Sequence, residues 1–166
     1  MQRVIRNQEI ANDSWTLVKE VSDIDVLKRA PEECFIVPLE FWNQHRNELE
    51  NYFNEIAIWL DSNESVNDIN HDLDKFSLIA LNFPVFSDGR SYTNARELRQ
   101  RLNYTGEIRA IGDVLRDQIF YMSRCGFNSF SIRYDQNLQA CLQAFNDFQT
   151  SYQSTSEDPK PLFRRR

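Results

Sequence analysis

Carboxylates and arginines recur in this sequence just after short apolar runs, a pairing that suits binding of an anion or a polar substrate. In a parallel sheet, ligands gather outside the carboxyl ends of the strands. By that rule the chemistry-bearing candidates are Glu40, Asp61, Asp88 to Tyr92, Asp113 and Arg133. Together they could hold a small oxyanion, provided that their strands are neighbours.

Each candidate also has a plainer reading. Asp113 directly precedes a helical pattern, where a carboxylate capping the helix is the commoner role. Asp88-Gly89 is an ordinary turn dipeptide. Arg90 lies in a strand-to-helix turn, where free backbone N–H groups and a guanidinium would complete an oxyanion site. Pairing of Arg90 with a neighbouring carboxylate is the competing reading. On the helical wheel of 113–125, Val114, Leu115, Ile119, Tyr121 and Met122 form an apolar arc with Gln118 in its middle. A buried amide there needs partners, from the protein or from a bound group. Asp117 and Arg124 fall on the opposite face, exposed to solvent or to a partner protein. Cys125 reads as a small buried hydrophobe, since no His lies near it to lower its pKa. His45 reads as a core histidine and His71 as a surface one.

The elements that would position these residues follow from the apolar spacing. Arg3 to Ile5 and Trp15 to Glu20 predict two strands of an N-terminal hairpin, with Asn7, Asn12 and Asp13 as turn formers. Cys34 to Leu39 is a strand-like run of the kind buried on both faces. A helix is expected from Phe41 to Phe53, with Phe41, His45, Leu49 and Tyr52 facing inward. Ile56 to Leu60 and Phe76 to Leu81 predict strands, and Asp61 to Lys75 a loop or weak helix. A helix from Tyr92 to Leu102 with Thr93 as N-cap, a strand at Ile108 to Ile111 and a helix from Asp113 to Cys125 follow, closed by Gly126. Ser129 to Ile132 and a helix from Asn137 to Phe148 complete the pattern. Such alternation predicts an α/β fold with a mainly parallel sheet built from βα units. An open doubly wound sheet and a partial TIM-like barrel both satisfy it. Residues 1–149 are expected to form one domain, and 150–166, rich in Ser, Thr, Glu and Pro, a flexible tail.

Composition narrows the function classes. The 166 residues carry a net charge of −6, which argues against a broad nucleic-acid or anionic-membrane surface. No apolar run is long enough for a membrane span and no leader pattern opens the chain. The three cysteines show no C-x-x-C pair, so neither a disulfide framework nor a zinc site is expected and a cytoplasmic location fits. G-x-G-x-x-G, P-loop, G-x-S-x-G and H-E-x-x-H patterns are all missing, and four glycines leave little for a phosphate-cradling loop. No cofactor is therefore expected, although a flavin at the strand ends is a further version that an absorbance spectrum would test.

Asp88-Gly89-Arg90-Ser91-Tyr92, Ala95-Arg96, Leu98-Arg99, Tyr104-x-Gly106-Glu107-x-Arg109-Ala110-x-Gly112-Asp113-Val114-Leu115-x-Asp117-Gln118 and Arg124-Cys125-Gly126-Phe127 stand at fixed spacing. This set resembles a bacterial family of unknown function commonly encoded beside assimilatory sulfite reductase, whose members are labelled probable oxidoreductases of sulfite reduction. The resemblance implies sulfate assimilation as the setting, sulfite reductase as partner and a cytoplasmic location. It draws attention to Arg90, Tyr92, Arg99, Arg109, Asp113, Asp117, Gln118 and Arg124. Two functions remain: an accessory protein docking through the face with Asp117 and Arg124, or an enzyme or carrier of sulfite or sulfate centred on Arg90.

Overall fold

In the computed structural model, residues 2–52 and 54–147 are described. The expected tail and the end of the last helix, Phe148, lie outside them, as does Phe53. Eight strands form one sheet in the order β2-β1-β8-β7-β6-β5-β4-β3. They are β1 (Arg3–Arg6), β2 (Glu9–Asn12), β3 (Trp15–Leu17), β4 (Cys34–Pro38), β5 (Ile56–Leu60), β6 (Leu78–Phe83), β7 (Glu107–Gly112) and β8 (Ser129–Phe130). The helices are α1 (Asp25–Lys28), α2 (Leu39–Leu49), α3 (Arg90–Gln100), α4 (Arg116–Cys125) and α5 (Leu138–Gln143), with 3₁₀ segments at Val66–Lys75 and Ala144–Asn146.

Strands β3 to β8 run parallel, each beside its neighbour in the sequence. β1 and β2 form the antiparallel hairpin, and β1 pairs antiparallel with β8. The hairpin thus exists, but its second strand is Glu9–Asn12, and Trp15–Leu17 pairs with β4 at the opposite edge. Asn7 and Gln8 carry positive φ, so they make the tight turn that closes β1 onto β2.

That connectivity forces curvature. Eight strands laid flat would put the edges about 34 Å apart. Asn12 of β2 and Trp15 of β3 stand only three residues apart, a reach of about 11 Å. The sheet therefore curls into a half-barrel, mostly parallel with antiparallel strands at its N-terminal end. Of the two expected architectures, the barrel-like one is present.

Strand alternation sorts the side chains to two faces. Val37, Ile58, Leu60, Ile79, Leu81, Phe83, Ile108 and Ala110 pack with Leu98, Ile119 and Met122 in the larger core, which the helices cover. Ile36, Ala57, Leu78, Ala80 and Ile111 point into the concave side with Trp15, Leu17 and Trp59. Because both faces are buried, the strands read as continuous apolar runs rather than as alternation.

Several boundaries depart from expectation. α3 begins at Arg90 with Gly89 before it, and Thr93 is inside the helix rather than capping it. α4 begins only at Arg116, after an extended Leu115 that provides no side-chain cap. Between Asp61 and Lys75 the weak-helix reading fits, as ten residues of 3₁₀ helix capped by Ser65.

Candidate functional site

Because β4 to β8 are consecutive in the sheet, their carboxyl ends place Glu40, Asp61, Asp88, Asp113 and Arg133 along one rim. The geometry asked of these residues is met. There Asp113 bonds Arg133, Asp88 bonds Arg90, Asp61 bonds Asn82 and Glu40 bonds Gln44.

At the β6–α3 turn, the Asp88 carboxylate accepts from the Arg90 backbone N at 3.1 Å, from Arg90 Nε at 3.0 Å and from Arg90 Nη2 at 2.6 Å. The guanidinium holds Asp88 well below the usual carboxylate range. Arg90 Nη2 also donates to Ser62 Oγ at 2.8 Å. Asn82 Nδ2 donates to Asp61 Oδ1 at 3.0 Å, and Ser91 Oγ to the Asn82 carbonyl at 2.6 Å. Arg90 keeps an exposed side chain, but its charge already faces a carboxylate. Tyr92 packs between Phe83 and Tyr121, ring centres 5.1 and 4.9 Å away, and burial pushes its hydroxyl up to about 12.

At the β7–α4 turn, Asp113 does not cap the helix. Gly112, at φ +89°, turns the chain so that Asp113 N donates to the Phe83 carbonyl, which leaves the carboxylate short of the helix start. Oδ2 instead accepts from Phe86 N at 2.8 Å, and Oδ1 from Arg133 Nη1 at 2.5 Å. Arg133 donates to Asp135 as well, and these bonds raise its pKa above the usual arginine value. Gln118 is half-buried, not sealed in the core. Its Nε2 donates to the Phe86 carbonyl at 2.8 Å while Oε1 is buried without a partner. Phe86 is thus pinned through both backbone groups while it and neighbouring Val85 stay more than half exposed.

Two nominated arginines lie elsewhere. Arg99 donates to the carbonyls of Gly126, Tyr104 and Gly106, tying α3 to the loops at the amino end of the sheet. Arg109 is 1% exposed on the concave face of β7. Its Nη1 donates to both Asp13 oxygens at 2.9 Å, its Nη2 and Nε donate to Glu107, and Nε reaches Ser129. On α4, the Asp117 side chain is 92% exposed, whereas Arg124 lies over the Phe120 ring with its Nε buried and unbonded. Tyr121, assigned to the apolar arc, is 42% exposed and accepts from Arg96 Nη2.

Beside the rim, Glu20, Glu40, Asp61 and Glu64 line a cleft of about 870 Å³ at the ends of β3 to β5, and burial raises the Glu64 carboxyl above its usual range. A second pocket of about 500 Å³ opens at the mouth of the half-barrel between Trp15, Leu17, Ile111, Ser131 and Arg133. Asp13, Ser62 and Glu64 were not anticipated. Ser62 follows Asp61 and falls under the same strand-end rule, while Asn82 lies one residue past the expected end of its strand, which runs on to Phe83. Asp13 gave no signal beyond its turn-forming type.

Fold and rim together define a class: an α/β half-barrel of mostly parallel strands whose rim pairs Asp88 with Arg90 and Asp113 with Arg133. Within that class, the chain belongs to the family described as bacterial protein of unknown function (DUF934), whose model matches residues 57–163. The match takes in β5 from Ala57 onward, β6 to β8, α3 to α5 and every nominated residue except Glu40. Among curated proteins, none matches the chain. No helix among the described residues is long and apolar enough to cross a membrane.

Proposed function

We propose that this chain is an accessory protein of assimilatory sulfate and sulfite reduction that acts by docking on sulfite reductase. The observation that carries the docking part is the β6–α3 knuckle. Val85 and Phe86 stand 52% and 60% exposed on backbone held by Asp113 and Gln118. An apolar knuckle that is already rigid loses little entropy on binding, which is what a docking element needs. Tyr121, Arg96 and Asp117 on the adjoining helices supply a polar and aromatic surround of the kind found at interfaces. The choice of partner and pathway rests on the sequence resemblance. Co-purification with sulfite reductase from the same cell tests it. A complex that Phe86→Ser abolishes is the expected result, and no association at micromolar concentration is the contrary one. Deletion of the gene should leave cells able to grow on sulfide but not on sulfite.

The second reading is handling of a small oxyanion at Arg90, favoured by the exposed guanidinium at the start of α3. Arg90→Ala should then weaken sulfite binding and slow growth on sulfate. If neither changes, this reading fails.

A further inference from the structure

Arg109 is a guanidinium sealed inside the concave face of the half-barrel, and burying such a charge is favourable only when an anion meets it. Glu107 is one such anion, from the same strand. The other comes from a distant part of the chain. Asp13 lies in the two-residue link between β2 and β3, and its side chain is 6% exposed. Both its oxygens sit 2.9 Å from Arg109 Nη1, and Oδ1 accepts from Trp15 N at 3.2 Å as well. Arg6, whose side chain is 32% exposed, stands 3.8 Å from Glu107 at the edge of this group, so the buried members are Arg109, Asp13 and Glu107. Without Asp13, Arg109 Nη1 loses both of the carboxylate oxygens it donates to, while Nε and Nη2 keep Glu107.

The Asp13 carboxylate is the main tie of the link, accepting from Arg109 Nη1 and from Trp15 N. The link's own backbone anchor is one hydrogen bond, Asp13 N to the Gln2 carbonyl at 2.9 Å. Gln2 in turn reaches Ser131 Oγ at 3.4 Å, the long end of the hydrogen-bond range. Gln2 and Trp15, the residues on either side of Asp13's bonds, wall the pocket of about 500 Å³ that opens to solvent beside it. The pocket reaches Asp13's bonding partners and not Arg109 itself, so displacement of Asp13 is the step that would join the two.

We propose that the Arg109 interior is an oxyanion-binding site and that the Asp13 carboxylate is its built-in occupant, so that residues 13–14 form a strap that a small carboxylate or sulfur oxyanion displaces. Asp13 presents two oxygens to one guanidinium nitrogen and one to a backbone N–H, and a formate or sulfite ion offers the same pair of acceptors. Ser129 Oγ, already at 3.2 Å from Arg109 Nε, is a further group for it. The closed strap lowers apparent affinity by the fraction of molecules in which it is open. The site is separate from Arg90 and from the Phe86 knuckle, so its fate does not decide either of the readings above.

The test removes the occupant and supplies a replacement. Thermal melts of Asp13→Ala and Asp13→Asn are measured with sodium formate and sodium sulfite against sodium chloride at equal ionic strength. The expected result is a saturable, oxyanion-specific rise in Tm for the variants, at concentrations about tenfold or more below those that affect the unaltered chain. Adding Arg109→Leu to Asp13→Ala should abolish it. In parallel, hydrogen exchange on the unaltered chain should show formate or sulfite speeding the Asp13 and Trp15 amides while β5 to β7 stay protected. If a folded variant gives no shift beyond chloride, the proposal is overturned. If neither variant folds, unchanged exchange at Asp13 and Trp15 overturns it.

Discussion

At the scale of single residues, this protein spends its charges on itself. Asp72 is 2% exposed, and burial alone would raise its carboxyl. Hydrogen bonds from Lys75 and Trp42, with Arg46 at 2.6 Å, overcome burial and hold it below the usual range. Asp88 and Asp135 are held low by Arg90 and Arg133. A carboxylate whose folded pKa is depressed contributes stability that is present above its unfolded pKa of about 3.9 and is lost as pH falls through the folded value. Denaturant midpoints should therefore be flat from neutral pH to about 5 and fall steeply below about 4. Asp72→Asn should flatten part of that fall. Gly112 admits no side chain: at φ +89° an added Cβ would lie 2.4 Å from the Phe83 carbonyl oxygen and 2.5 Å from Asn82 Oδ1. Gly112→Ala is expected to cost about 1–3 kcal/mol from the backbone conformation alone, and more from the contact, measured by urea unfolding.

At the scale of elements, the buried pair between Asp13 and Arg109 is what fastens the N-terminal crossing to the central strand β7. Removing one partner of such a pair leaves an unpaired buried charge, so Arg109→Met with Asp13 intact should destabilise by about 3–5 kcal/mol. Phe86→Ser touches an exposed ring and should stay within about 0.5 kcal/mol of the parent. The strands and most helices were legible because apolar run length and period carry that information directly. Ile56–Leu60 and Glu107–Gly112 fall within a residue of expectation. The helix starts were less legible, since Arg90 and Arg116 begin helices without a side-chain cap, and Asp113, the apparent cap, has Arg133 as a partner instead. The true partner of β1 was hidden because Trp15–Leu17 is as strand-like as Glu9–Asn12. Only the long-range pairing with β4 tells them apart.

At the scale of the whole molecule, curling brings the two sheet edges together and puts all the parallel strand ends on one rim. The position of the rim was legible from the βα alternation. Its internal pairing was not, because Arg90–Ser62, Asp113–Phe86 and Arg109–Asp13 join residues 20 to 100 positions apart, and spacing carries no record of them. On the proposed reading, the rigid apolar knuckle at Val85 and Phe86 is the contact surface for another protein. The measurement that tests this most directly is native mass spectrometry of the chain mixed with sulfite reductase from the same cell at micromolar concentration. A complex formed by the unaltered chain and lost with Phe86→Ser, whose stability is unchanged, is the predicted result. Two intact species that never associate would contradict it.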